Sequence, residues 1–262
     1  MTDATELAAS GPPAIARVGF SDLSAALGAG FRDFRRAPMF GLFFSFFYVL
    51  GGILIFLELD VLDQSYWIIP LAAGFPLLAP FFGVGLYEVS RRLEEGAPLD
   101  WAAVLGVVVR QKDRQTPSVA AVMVIIFLFW MFLAHMIFAL FMGLEPMTNI
   151  LSNWQDTILT QKGLTMLAVG TAVGAIISFV LFSLTVMSLP MLLDREMDFI
   201  SAMIHSFQLV LQNLVPMVAW GLFISALTLL GMAPFFLGLF VVLPVLGHAT
   251  WHLYRRSMSF ED

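Results

Sequence analysis

PSVAAVMVIIFLFWMFLAHMIFALFMG, residues 117–143, contains no charged side chain. At 1.5 Å per residue, a helix of this length crosses roughly 30 Å of hydrocarbon with turns to spare. Further apolar runs cover 39–57, 66–87, 164–193, 215–230 and 232–253. Gly231, Ala233 and Pro234 interrupt the last long apolar stretch where a tight helical hairpin needs to turn, which gives six spans rather than five. The whole chain agrees: 60% of its 262 residues are hydrophobic and 12% charged, against about 45–50% and 25% in soluble proteins. Without cysteine, disulfides, zinc–thiolate sites and cysteine-ligated iron–sulfur clusters are excluded.

Charge sets the expected orientation. Arg17, Arg32, Arg35 and Arg36 precede the first span, and Arg91, Arg92, Arg110, Lys112 and Arg114 lie between the second and third. Arg195 follows the fourth, and Arg255 and Arg256 follow the sixth. Lys162 is the one basic residue on the other side, beside Glu58, Asp60, Asp63, Glu145 and Asp156. The positive-inside rule then puts both termini of a multi-pass membrane protein in the cytoplasm. Net charge is −6, yet the cytoplasmic face is locally basic and suits anionic headgroups, and nothing points to nucleic acid. Residues 1–19 have no basic, apolar leader pattern and are expected to be a flexible cytoplasmic tail, with 258–262 as a C-terminal tail.

The spans are grouped by internal repetition. Asp22, Asp100 and Asp198 each open an amphipathic stretch that meets a proline, Pro38, Pro117 or Pro216, at the mouth of a span. A carboxylate at a helix start caps free N–H groups and opposes the macrodipole. Leu23, Leu27, Phe31 and Phe34 recur at helical spacing, as do Trp101, Leu105 and Val108, and Phe199, Met203 or Ile204, and Phe207. We read these as helices lying in the membrane interface, apolar face down; extension of the following spans as long tilted helices is the competing possibility. Pro80-x-x-Gly83-x-x-x-Tyr87-Glu88-x-Ser90-Arg91-Arg92 also aligns without gaps with Pro244-x-x-Gly247-x-x-x-Trp251-His252-x-Tyr254-Arg255-Arg256. The expected fold is therefore all-α: six transmembrane helices as three parallel repeats of interfacial helix plus hairpin, about 20–97, 98–196 and 197–257, in one domain over 20–257.

Three motifs carry a family resemblance. Gly85-Leu-Tyr-Glu-Val-Ser-Arg-Arg92, Asp194-Arg-Glu-Met-Asp-Phe-Ile-Ser-Ala-Met203 with Asn213, and Gly247-His-Ala-Thr-Trp-His-Leu-Tyr-Arg255 resemble the bacterial integral-membrane family DUF2189, over about residues 18–257. The resemblance implies an inner-membrane protein, and some relatives are labelled putative cytochrome c oxidase subunit. This chain lacks the histidine set that a haem–copper catalytic subunit needs across several spans.

Candidate chemistry is sparse. His248 and His252, at i and i+4, share a helix face and are candidates to hold a metal or haem; against this stands a hydrogen-bonded pair in an aromatic belt with Trp251 and Tyr254. In the motif alignment Glu88 stands where His252 does, so a Glu88–His252 pair between the first and third hairpins is expected, with Tyr87, Arg91, Arg92, Arg255 and Arg256 around it. His135, inside the third span, is either a haem ligand or proton relay, or a neutral imidazole bonded to a neighbouring helix. Gly170 and Gly174 allow close helix approach, within the chain or to another subunit. Phe40 through Phe47 form a bulky surface for lipid or for a subunit, and the 144–162 loop, with Trp154, offers a docking element on the far side. No span carries a central carboxylate, and no phosphate cradle, nucleophile elbow or zinc-protease motif is present. Three functions stay open: an accessory or assembly subunit of a membrane complex such as a respiratory oxidase, a small-solute or lipid transporter, and a membrane haem or metal protein. The first is favoured. A polar cavity lined by Ser178, Ser183, Thr185 and Ser225 would favour transport.

Overall fold

The computed structural model describes residues 13–60, 68–143 and 160–260, with side chains for all of these except 58–60 and 68–78. Most of the expected turn near 58–65 and most of the 144–162 loop lie outside the described residues, as do the first two residues of the expected second span.

The three aspartates do organise helix starts. Helix α1 (Phe20–Arg36) follows Gly19, whose N–H donates to the Asp22 carboxylate at 2.9 Å. Asp22 thus acts from inside the first turn. Asp100 is the N-cap of α4 (Trp101–Arg110), accepting from the Ala103 N–H, and Asp198 that of α8 (Phe199–Gln212), accepting from the Ser201 N–H. In each helix, however, the row facing protein lies beside the expected apolar row. α1 buries Leu23, Ala26, Gly30 and Asp33 and leaves Phe31 48% exposed. α4 buries Val104 and Val107, and α8 buries Ala202, Met203 and Ser206 while Ile204 faces outward. For α1 the reason is a backbone crossing: a Cβ on Gly30 would sit 2.5 Å from the Ala249 nitrogen, so only glycine fits.

Among the described residues, four helical stretches are long and apolar enough to cross a membrane: Pro38–Leu57 in α2 (Pro38–Asp60), α5 (Thr116–Met142), Gln161–Asp194, and α9 (Leu214–Met232). The six expected spans are thus met by four. Helix α3 (Ile68–Glu95) occupies the second position. α10 (Leu239–Ser257) occupies the sixth, but its last ten residues, from His248, carry two histidines and two arginines. The hairpin break falls where expected: α9 ends at Met232, Phe235 and Phe236 turn with φ of 50° and 64°, and Gly238 abuts Gly231.

The expected span 164–193 is divided into α6 (Gln161–Thr185) and α7 (Ser188–Asp194). Pro190 has no N–H to give the carbonyl one turn back, and its ring disturbs that turn. Ser206 of α8 fills the gap. Its Oγ accepts the Met187 N–H at 3.1 Å and donates to the Ser183 carbonyl at 2.7 Å.

Helices α2, α3 and α10 pack together, α1 lies across α10, α5 joins α3 to α6, and α9 flanks α10. The core is thickest at the charged end, where Met187, Met191, Met217, Trp220, Trp251, Leu253 and Tyr254 are buried. The described parts of the two tails, 13–19 and 258–260, are tied there, so the expected flexibility does not extend to residues 13–19. Strand β1 (Ala14–Ile15) pairs antiparallel with β2 (Met258–Ser259). Asn213 accepts the Val18 N–H at 2.8 Å and donates to the Ala16 carbonyl, so its side-chain amide satisfies backbone groups of this segment.

Candidate functional site: a buried histidine–carboxylate cluster

The charged ends of α1, α3 and α10 converge on His252. Its Nε2 lies 2.6 Å from Asp33 Oδ2 and its Nδ1 3.3 Å from Glu94 Oε1. Burial opposes a charge on the imidazole, but hydrogen bonds to Asp33 and Glu94, reinforced by their charges, prevail and push its pKa up to about 9. The reciprocal effect holds both acids below their usual ranges: burial would raise them, and the His252 bond, assisted by Ser90 at Asp33 and by Trp251 at Glu94, outweighs it. His252 is therefore an imidazolium between two carboxylates from different helices.

Behind it lies His248, fully buried, its Nδ1 2.8 Å from Ser90 Oγ; Ser90 also bonds Asp33. A continuous polar chain thus runs from Glu94 through His252, Asp33 and Ser90 to His248. His248 Nε2 is a buried ring nitrogen without a hydrogen-bond partner among the described residues. Because both His252 nitrogens face carboxylates, the pair presents one open nitrogen to a metal or porphyrin rather than two. No cluster of three or more His, Cys, Asp or Glu side chains placed for a metal occurs among the described residues.

The expected Glu88–His252 pair is replaced by a different register. Glu88 is completely buried and held by its own helix: Arg91 bonds it through Nε (2.8 Å) and a terminal nitrogen (2.9 Å), and Arg92 through Nε (2.6 Å). Gly247 packs on Leu86, His248 meets Ser90, and Glu94 meets both Trp251 and His252. The residue of α3 facing His252 is thus six positions beyond the one that the motif alignment matches to it. Close packing at Gly247 sets this offset.

The aromatic residues are also not a belt. Trp251 is fully buried, stacks on Tyr87 and donates to Glu94 at 3.0 Å; Tyr254 is 1% exposed and donates to Asp194 at 2.7 Å. Arg255 reaches Glu94 and Asp194, each at 3.6 Å, and Arg256 reaches Asp22 at 3.3 Å. Asp33, Glu94 and Asp194, which bind these groups together, were not among the sequence candidates. Asp33 does carry a signal, since it continues the Leu23, Ala26, Gly30 row at helical spacing. Its arginine neighbours disguise it as a solvated position.

The remaining candidates lie apart. His135 is exposed on α5, its Nδ1 2.8 Å from the Met131 carbonyl of the same helix rather than from a neighbour. Gly174 packs on Trp130, whereas Gly170 is open, and both line an apolar groove of about 410 Å³ between α5 and α6. Ser178 and Ser225 face outward while Ser183 is buried, and Ser183, Thr185 and Ser225 each donate to a carbonyl one turn back. These hydroxyls do not converge on a common cavity.

Residues 68–194 match the family model described as "Predicted integral membrane protein (DUF2189)". The match includes the Gly85–Arg92 motif and ends at Asp194, short of the Gly247–Arg255 motif. No curated protein and no solved structure matches the chain.

Proposed function

We propose that this chain, a member of the DUF2189 family over residues 68–194, works as a non-catalytic subunit or assembly factor within a larger membrane complex. The observation that supports this is His135. It lies well inside α5, the most apolar span, of whose best 18-residue window only 11% is buried within the chain. Ionisable side chains at such depth almost always face protein or a water-filled cavity, because hydrocarbon offers them no partner. With Nδ1–H donated to the Met131 carbonyl, Nε2 is left as an acceptor. A transmembrane helix carrying a hydroxyl, amide or indole donor would complete it.

In this proposal the charged end is cytoplasmic, six helices cross the inner membrane with both chain ends on that side, and α1, α4 and α8 lie in the interface with Phe31, Trp101 and Ile204 toward lipid. The family resemblance directs the search for partners to respiratory oxidases. Native electrophoresis of mildly solubilised membranes tests the association. The native chain should migrate in a complex that His135→Leu loses while still inserting and folding. A lone monomer, or a complex indifferent to the substitution, would overturn it.

A further inference from the structure

Between α1, the end of α3 and the end of α10 lies a cleft of about 410 Å³ lined by Ala25, Ala29, Arg32, Glu94, His252, Arg255 and Arg256. Its walls hold four cationic groups and one carboxylate, over a floor of two alanines. Glu94 is already committed: one oxygen takes the Trp251 indole N–H at 3.0 Å and sits 3.6 Å from Arg255, and the other faces His252 at 3.3 Å. The flanking acids are likewise engaged, Asp33 with His252, Asp22 with Arg256, and Asp194 with the Tyr254 hydroxyl and, at 3.6 Å, Arg255. The guanidinium groups are not saturated in return. At 3.6 Å Arg255 is beyond hydrogen-bond range of both its acids, Arg256 has one long bond, and Arg32 has no ion pair among the described residues.

We infer that this cleft binds a phosphate group. Guanidinium forks match phosphate oxygens two at a time, and three forks around a small-residue floor leave space for a tetrahedral anion to approach. His252, fixed by Asp33 and Glu94, adds positive charge to the wall without needing to move. A phospholipid headgroup and a free phosphate share this chemistry; the exposed Phe20 and Phe31 on the same α1 helix favour the lipid, because they suit a membrane interface. The site is independent of the partner proposed for α5.

Full-length protein in a neutral detergent, read by native mass spectrometry, provides the test, with phosphatidylglycerol, phosphatidylcholine and inorganic phosphate as separate probes. Phosphatidylglycerol should be retained over phosphatidylcholine. Arg32→Gln should weaken it about tenfold, as expected for one charge-assisted bond, and Arg255→Gln should do the same, the second variant guarding against a folding defect in the first. Arg110→Gln and Lys112→Gln, basic positions outside the cleft, should leave it unchanged. Inorganic phosphate binding with the same Arg32 dependence would identify the free ion as a ligand of the same site. Equal loss in all four variants, or no retention of either phosphate probe over phosphatidylcholine, would overturn the assignment.

Discussion

At His252 a single side chain joins three helices, and its protonation can be read as stability. Its pKa is raised from 6.5 to about 9, so its contribution is complete below about 6.5 and is lost as pH rises through 9. Asp33 and Glu94 are shifted the opposite way; their contribution is present above their ordinary values and is lost as pH falls through the folded ones. Thermal unfolding in detergent should therefore show a stability plateau at mildly acid pH and a decline between about pH 6.5 and 9 that levels off above it, and His252→Gln should remove that alkaline decline. An unchanged alkaline limb in the variant would contradict the clamp. Glu88 supports a second prediction. Removing both guanidiniums with Arg91→Ala and Arg92→Ala leaves a buried carboxylate unpaired, at about 3–5 kcal/mol, and adding Glu88→Leu should recover most of the loss. If the triple variant is no more stable than the double, the arginines act elsewhere. The histidines and arginines of this site stood out in the sequence as a motif. Their acidic partners did not, because which carboxylate meets which imidazole depends on helix register, and that is set by Gly247 on Leu86 and Gly30 on Ala249.

Among the elements, α6 and α7 separate at a break that Ser206 bridges from another helix. Ser206→Ala would strand the buried Met187 N–H, and a melt should show a loss of about 1–3 kcal/mol. Ser206→Thr keeps the hydroxyl and should lose less. Equal losses would point to packing instead of the hydrogen bonds. The aspartate-led starts of α4 and α8 and the hairpin break before α10 were legible, since capping and turn chemistry are local. The break at residues 186–187 was not, despite Pro190 being in plain view, because an apolar run hides where a helix yields. The buried rows of α1, α4 and α8 escaped for a related reason. Small residues allow helices to approach, and periodicity weighted by hydrophobicity favours the larger neighbours.

On the scale of the whole molecule, the two ends differ in kind. The charged end is fastened by ion pairs, by Asn213 and by the β1–β2 pairing, whereas α5 fully buries residues only towards its ends, at Thr116, Val119, Ala120, Ile137 and Phe138. Under the proposed function, this bare helix with a polar group on its outer face is where the partner docks. Photoreactive residues at Phe132 and Leu128, one face with His135 and 63% and 46% exposed, would report what that is when irradiated in unextracted membranes. The predicted result is an adduct with another membrane polypeptide from both positions, and lipid alone from Leu222 on α9. Lipid alone from all three would contradict the account.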